Sequence, residues 1–259
     1  MKRLVVIVLC LVLPLSAISQ RRGKPFSEQV NWGIKGGVNL SKMHYTDRHL
    51  ADLPQQFAIR PAGGVFVDIP LSPFLGIATE ILYVERGMKT VYTHYSGYDI
   101  DYSIRSRYVD FRLPLMVGVN VTSWFQPYLL VGGDVGYLLG GQIHLLQTGL
   151  PHPELTVNLG KANMQPLYIG VFGGLGVRFF QEMNGKRAQL KVEATFNHGF
   201  VDSFSEKEHL KTALPENVNA YNITGKRFPQ AIDLSVGVTL PLIPDKRDAC
   251  YGFSKGRWR

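Results

Sequence analysis

The chain has 259 residues, a formal net charge of +8, 45% hydrophobic residues and a mean hydropathy close to zero despite 27 glycines. After the first twenty residues no stretch offers the roughly eighteen consecutive apolar residues of a membrane-spanning helix, which excludes a helical membrane protein. Lys and Arg are dispersed rather than gathered into a stripe, and the chain opens with an export signal, so a nucleic-acid partner is excluded; the charge suits a surface facing acidic envelope polymers.

Residues 1–19 read as a secretory signal peptide. Lys2 and Arg3 form the basic region, Leu4 to Leu15 the apolar core, and Ala17 and Ser19 the small residues of a cleavage site before Gln20. Cys10 lies inside the apolar core rather than at the cleavage point, so a lipoprotein is not expected. Cys250 is then the single cysteine of the exported chain, and stability must come from packing or lipid rather than disulfides.

Eight segments then alternate apolar with small or polar residues: 30–45, 57–70, 74–92, 105–120, 127–141, 165–181, 187–200 and 227–242. The gaps Thr46–Gln56, Thr93–Ile104, Gln142–Met164 and Val201–Lys226 are long, whereas Leu71–Pro73, Val121–Gln126 and Glu182–Lys186 are short. The last short gap carries the turn dipeptide Asn184-Gly185. Short and long gaps in alternation predict an all-β fold: an eight-stranded antiparallel up-and-down transmembrane β-barrel over residues 20–243, with periplasmic turns, external loops and both termini in the periplasm. Residues 244–259 form a basic tail outside the strand pattern, expected in the periplasm.

The alternation also sorts the faces. Val109, Phe111, Leu113, Leu115 and Val117 share one face of the fourth segment, and Ile232, Leu234, Val236 and Val238 one face of the last. The opposite faces hold too many small residues to fill a hydrophobic core, so the apolar face is expected outward, against lipid. The inward set then contains Lys35, Arg86, Arg112, Arg178 and Lys191 against Asp68, Glu80, Asp110, Asp134, Glu193 and Asp233. In so narrow a barrel these must pair, predicting a lumenal charge network that plugs the interior rather than a channel. Inward glycines (Gly33, Gly132, Gly136, Gly170, Gly176 and Gly237 among them) are expected to leave room for the long Arg and Glu side chains. Pro114 predicts a local β-bulge. Aromatic girdles are expected from Trp32, Phe74, Trp124, Tyr128 and Phe179 at one end, and from Tyr45, Phe57, Tyr92, Tyr108, Tyr137, Tyr168, Phe200 and Phe228 at the other.

No nucleophile elbow, His-Glu-x-x-His or Cys-x-x-Cys occurs, so no catalytic residue, metal ligand or cofactor is assigned. His198 near Ser203 and Ser205 is a pairing expected by chance, and His144, His152 and Glu154 match no ordinary metal-site spacing. Ser205 and Glu208 resemble a capping box for a short helix in the fourth loop. Tyr92, His94, Tyr95, Tyr98 and Tyr102 make the second external loop the candidate binding surface, since tyrosine offers large contact area with a polar tip. Outer-membrane lipid and lipopolysaccharide are the expected surroundings.

Three stretches carry a family resemblance. Trp32–Ser41 resembles the opening strand of the PorT-like outer-membrane β-barrel proteins of Bacteroidetes, Tyr108–Met116 their fourth strand with its Leu-Pro-Leu, and Pro127–Gly133 their fifth. The Ile18, Ser19, Gln20 end of the leader is also usual in that phylum. The resemblance spans residues 30 to 242 and implies an envelope barrel; founding members of the family are implicated in type IX secretion, so secretion-system or other envelope proteins are the implied partners. The chain departs from the pattern at its end, where Leu240–Ile243 is followed by the basic tail instead of a terminal aromatic residue. The alternative reading is an adhesion or ligand-binding barrel working through its external loops.

Overall fold

The structure, a computed structural model, describes residues 30–45, 55–72, 74–93, 99–119, 121–122, 124–147, 154–159, 164–183, 186–203 and 227–241. The signal peptide, His94, Tyr95, Tyr98, His152, the Asn184-Gly185 turn, the capping box at Ser205 and the tail lie outside these residues. Ten strands form: β1 (Asn31–Tyr45), β2 (Gln55–Gln56), β3 (Ala58–Pro70), β4 (Leu75–Thr93), β5 (Asp99–Gly118), β6 (Phe125–Gln147), β7 (Glu154–Asn158), β8 (Leu167–Met183), β9 (Lys186–Gly199) and β10 (Arg227–Pro241). All pairings are antiparallel, and β10 closes on β1 from Asn31↔Pro241 to Tyr45↔Arg227. The result is a closed ring of eight, β1-β3-β4-β5-β6-β8-β9-β10, with β2 appended to β4 and β7 to β6. Closure removes every edge from the ring, so the backbone of the wall pairs strand to strand around the whole circuit without needing water.

Ile34 (61% exposed), Val131 (56%), Leu175 (63%) and Val236 (51%) belong to a continuous apolar belt on the outer wall. A belt of that extent on a single chain is a lipid-facing surface. Trp32, Phe74, Trp124 and Phe179 sit where the strands meet the short turns, and Phe57, Tyr137, Phe200 and Phe228 flank the other end of the belt. The first is called the turn end below, the second the loop end.

Several expectations change here. Tyr108, Tyr128 and Tyr168, assigned to the girdles, point inward and are buried. Their parity, shared with Asp110, Asp134 and Gly170, required this; the girdle assignment followed residue type instead. Pro114 causes no bulge: β4 and β5 keep one register on either side of it, with Ile77↔Leu115 and Glu80↔Arg112. The proline removes one donor and interrupts the ladder without shifting it. The irregularity lies between Arg107 and Tyr108, where β6 carries Leu139 as an extra residue, and Gly140 adopts the φ of +144° that favours glycine there.

The largest difference is strand length. β4, β5 and β6 run for 19, 20 and 23 residues, whereas about 9–11 suffice to cross a bilayer. Residues 99–104 and 142–147 therefore extend strands instead of forming loops, the second long gap, Thr93–Ile104, shrinks to 94–98, and the short/long alternation fails there. The reason is an inversion of face polarity. Within the belt the wall is apolar outside and charged inside; beyond it Arg105, Gln142 and His144 face out, while Met88, Ile104, Ile143 and Leu145 face in and are buried. Period two persists, so the strand persists.

Placing arginine in the belt measures the lipid contact directly. Leu113→Arg is expected to lower unfolding stability in vesicles by about 2–4 kcal/mol, followed by urea titration of tryptophan fluorescence. Gln142→Arg, above the belt, is expected to change it by less than about 0.5 kcal/mol.

Candidate functional site

The eleven inward ionisable residues named from the sequence all lie inside the ring, and each takes part in an ion pair. They form three connected groups. Toward the turn end, Lys191 Nζ donates to both oxygens of Asp68 at 3.0 and 2.9 Å, and Arg178 stands 3.6 Å from the same carboxylate. In the middle, Lys35 Nζ donates to Glu80 at 2.7 Å and to Glu193 at 2.9 Å. Toward the loop end, Arg86 donates to Asp110 at 2.5 Å and reaches Asp134 at 3.4 Å, while Arg112 lies 2.7 Å from Asp233 and 3.5 Å from Asp110. Glu193, 3.6 Å from Lys191, ties the first group to the second.

Neutral donors complete the carboxylates. Asp233 accepts from the side-chain amides of Asn39 and Asn197, and Glu193 accepts from the Tyr128 hydroxyl at 2.5 Å. A buried carboxylate tolerates desolvation only when its lone pairs are occupied this way.

Alternation did not reveal the role of the aromatic rings. Arg86 stacks 3.8 Å from the Tyr168 ring centroid and 5.2 Å from that of Tyr108. Lys191 lies 4.3 Å from the Phe66 centroid, Arg178 4.8 Å from Tyr128 and Arg112 5.6 Å from Phe172. Each buried cation thus has a carboxylate on one side and an aromatic face on another, an arrangement favoured where water is excluded. The rings also correct the reading of the glycines. A Cβ at Gly132 would lie 2.7 Å from the Phe172 ring, and one at Gly33 2.8 Å from the Phe66 ring. The inward glycines admit these rings, the carboxylates of Asp110 and Asp134 and the neighbouring backbone carbonyls, rather than Arg and Glu side chains.

Apolar side chains close the lumen on the loop-end side of the charges and are interleaved with them elsewhere. Ala78, Met116, Tyr128, Leu130 and Phe172 form one cluster, with Arg178 donating to Met116 Sδ at 2.9 Å, and the buried polar side chains of Asn31, Gln126, Gln189 and Thr239 lie nearer the turns. Met43, Met88, Ile104, Ile143, Leu145 and Leu159 are buried at the loop end. Two small cavities lie among the described residues, one beside Lys35, Arg112, Glu193 and Asp233 and the other beside Arg86, Ser106 and Tyr108.

The proposed loop residues fare differently. Tyr92 belongs to β4, paired with Ile100, and Tyr102 is buried on the inward face of β5 with 3% exposure, so it is no part of an exposed binding loop. The misreading came from taking polar outward residues as the start of a loop. His144 reaches Glu154 at 3.4 Å on the outer face of the β6–β7 hairpin. His198 contacts Gln230, Phe200 and Phe228. Ser203 is buried, its N–H donating to the Arg227 carbonyl at 2.9 Å and its carbonyl accepting from the Gln165 N–H at 3.0 Å.

Arg112→Met leaves Asp110, Asp134 and Asp233 with Arg86 as the remaining cation of their group, and is expected to cost about 3–5 kcal/mol of stability. Urea unfolding of the double variant Arg112→Met/Asp233→Asn is expected to show less loss than the two single variants combined.

No curated protein matches the chain. Among solved structures, Neisserial surface protein A is 12% identical with a TM-score of 0.40, the match covering 82% of this chain and 97% of that one. The attachment invasion locus protein Ail of Yersinia pestis is 9% identical at 0.35, covering 82% and 99%. The outer membrane protein OprG of Pseudomonas aeruginosa is 12% identical at 0.39, covering 85% and 95%. The family model described as the outer membrane protein beta-barrel domain matches residues 18–205, and the chain belongs to that family.

Proposed function

We propose that this protein is a non-enzymatic interaction component of the bacterial cell envelope, acting through the strands that rise beyond its lipid belt and not through its lumen. The observation that carries this reading is the change of face polarity in β4, β5 and β6. Their projecting parts bury Tyr102, Ile104, Ile143 and Leu145 on one side and present Lys89, Arg105, Gln142 and His144 on the other. A buried apolar interior makes the projection an ordered platform. The filled lumen beneath it supports a role other than transport.

In this reading the turn end faces the periplasm with both termini, and the projecting strands face outward, as short turns and long loops do in barrels of this class. Catalysis is not proposed: the neighbours of His198 are an amide and two aromatic rings, and Ser203 lies in a buried backbone turn. The PorT-like stretches at Trp32–Ser41, Tyr108–Met116 and Pro127–Gly133 support type IX secretion as the setting. Adhesion to an external ligand through the same platform is the second reading, favoured by the exposed apolar Val91 and Leu146 on its outer face.

Gene deletion separates the two. Loss of secreted surface proteins with an intact membrane is expected for the secretion role; unchanged secretion with loss of surface attachment would favour adhesion. In planar bilayers the purified protein is expected to show no steady conductance, and a steady current altered by Arg112→Ala would overturn the sealed lumen.

A further inference from the structure

The outer wall of β4, β5 and β6 at the loop end is layered by register. Tyr83, Val109 and Tyr137 lie side by side at the top of the belt. The next row is Glu85, Arg107 and Gly140, then Gly87, Arg105 and Gln142, then Lys89, Ser103 and His144. Aromatic rows of this kind mark the level of lipid headgroups. The two arginines therefore stand one and two rows above the hydrocarbon boundary, on the surface that meets lipid.

Their charges are incompletely matched. Arg105 forks onto Glu85, with Nε donating at 2.8 Å and Nη2 at 2.9 Å. Arg107 reaches the same carboxylate only through Nε, at 3.8 Å, beyond hydrogen-bonding distance. The Tyr83 hydroxyl donates to Glu85 at 2.7 Å. Glu85 is buried beneath these groups, with 4% of its side chain exposed, while Arg105 and Arg107 keep 45% and 49%. One carboxylate thus orders the Arg105 guanidinium, stands 3.8 Å from that of Arg107, and leaves a net positive charge. Lys89 and Asp101, 2.9 Å apart in the rows above, cancel one another. Beside Arg107 stands Gly140, which presents no side chain, preceded by the exposed Leu139.

We infer that Arg105 and Arg107 form a docking site for the phosphate of an outer-leaflet glycolipid of the lipid A type, whose acyl chains lie against the belt below. The match is one of charge and shape. A phosphomonoester is dianionic and planar-fork donors suit its oxygens. Glu85 holds the Arg105 guanidinium in place before the lipid arrives, which lowers the ordering cost. The inference rests on the outward orientation proposed above.

Native mass spectrometry of the purified protein with phosphorylated lipid A tests it. A lipid adduct is expected, absent with dephosphorylated lipid A, and reduced about tenfold or more in Arg105→Gln/Arg107→Gln. Heat-modifiable gel migration checks that this variant is folded, and Arg105→Lys/Arg107→Lys is expected to fall between it and the wild type. An adduct unchanged in the Gln variant, displaced by an equal amount of phosphatidylglycerol, or displaced by inorganic phosphate would overturn the inference. Orientation is read separately, from Leu146→Cys in a Cys250→Ser background labelled on intact cells with an impermeant maleimide. Labelling without an arginine-dependent adduct sinks the phosphate site alone. Labelling only after the membrane is permeabilised sinks the orientation, and the inference with it.

Discussion

Closing eight strands into a ring leaves an interior about as wide as the side chains that line it, with no room for bulk water. A charge placed there has to find its counter-charge and its remaining hydrogen bonds within the wall, because solvent cannot supply them. That constraint orders the whole lumen. Asp233 collects Arg112, Asn39 and Asn197; Glu193 collects Lys35, Lys191 and Tyr128; and Asp68 collects Lys191 and Arg178. The cations in turn lie on ring faces, and the rings fit because glycines stand opposite them. Taking away one member disturbs all three kinds of contact.

The same constraint explains why the interior becomes apolar at its loop end. Where the strands leave the lipid, the outer face no longer has to be apolar, and charged residues move outward. The inner face must still exclude water from the charged layers beneath it, and it does so with Met88, Ile104, Ile143 and Leu145. The polarity of the wall thus turns inside out at the membrane boundary. This places Glu85, Arg105 and Arg107 on the outer surface directly above the row of Tyr83 and Tyr137.

Much of this was legible in the chain, for a plain reason: side chains of a strand alternate between two faces, so parity assigns a face without knowledge of the fold. The eleven lumenal charges and the lipid-facing valines and leucines of β5 and β10 follow from counting by two. Errors arose where residue type overruled that count. Tyr108, Tyr128 and Tyr168 were placed in the girdles as aromatics, although their parity puts them beside Asp110, Asp134 and Gly170. Residues 99–104 look like loop because Asp99, Asp101 and Ser103 are polar, although Tyr102 and Ile104 keep the alternation going.

The sequence by itself determined that the chain is a ring of antiparallel strands in a membrane and which side chains face its interior, because both depend on period and composition alone. Only the tertiary structure decided which acid meets which cation, since that depends on how strands far apart in the chain face each other across the lumen, as Lys35 does with Glu193 and Asp68 with Lys191. It also decided that a one-residue bulge at Leu139 keeps Arg107 beside Gly140, because register is a property of two strands together. No single strand carries that information.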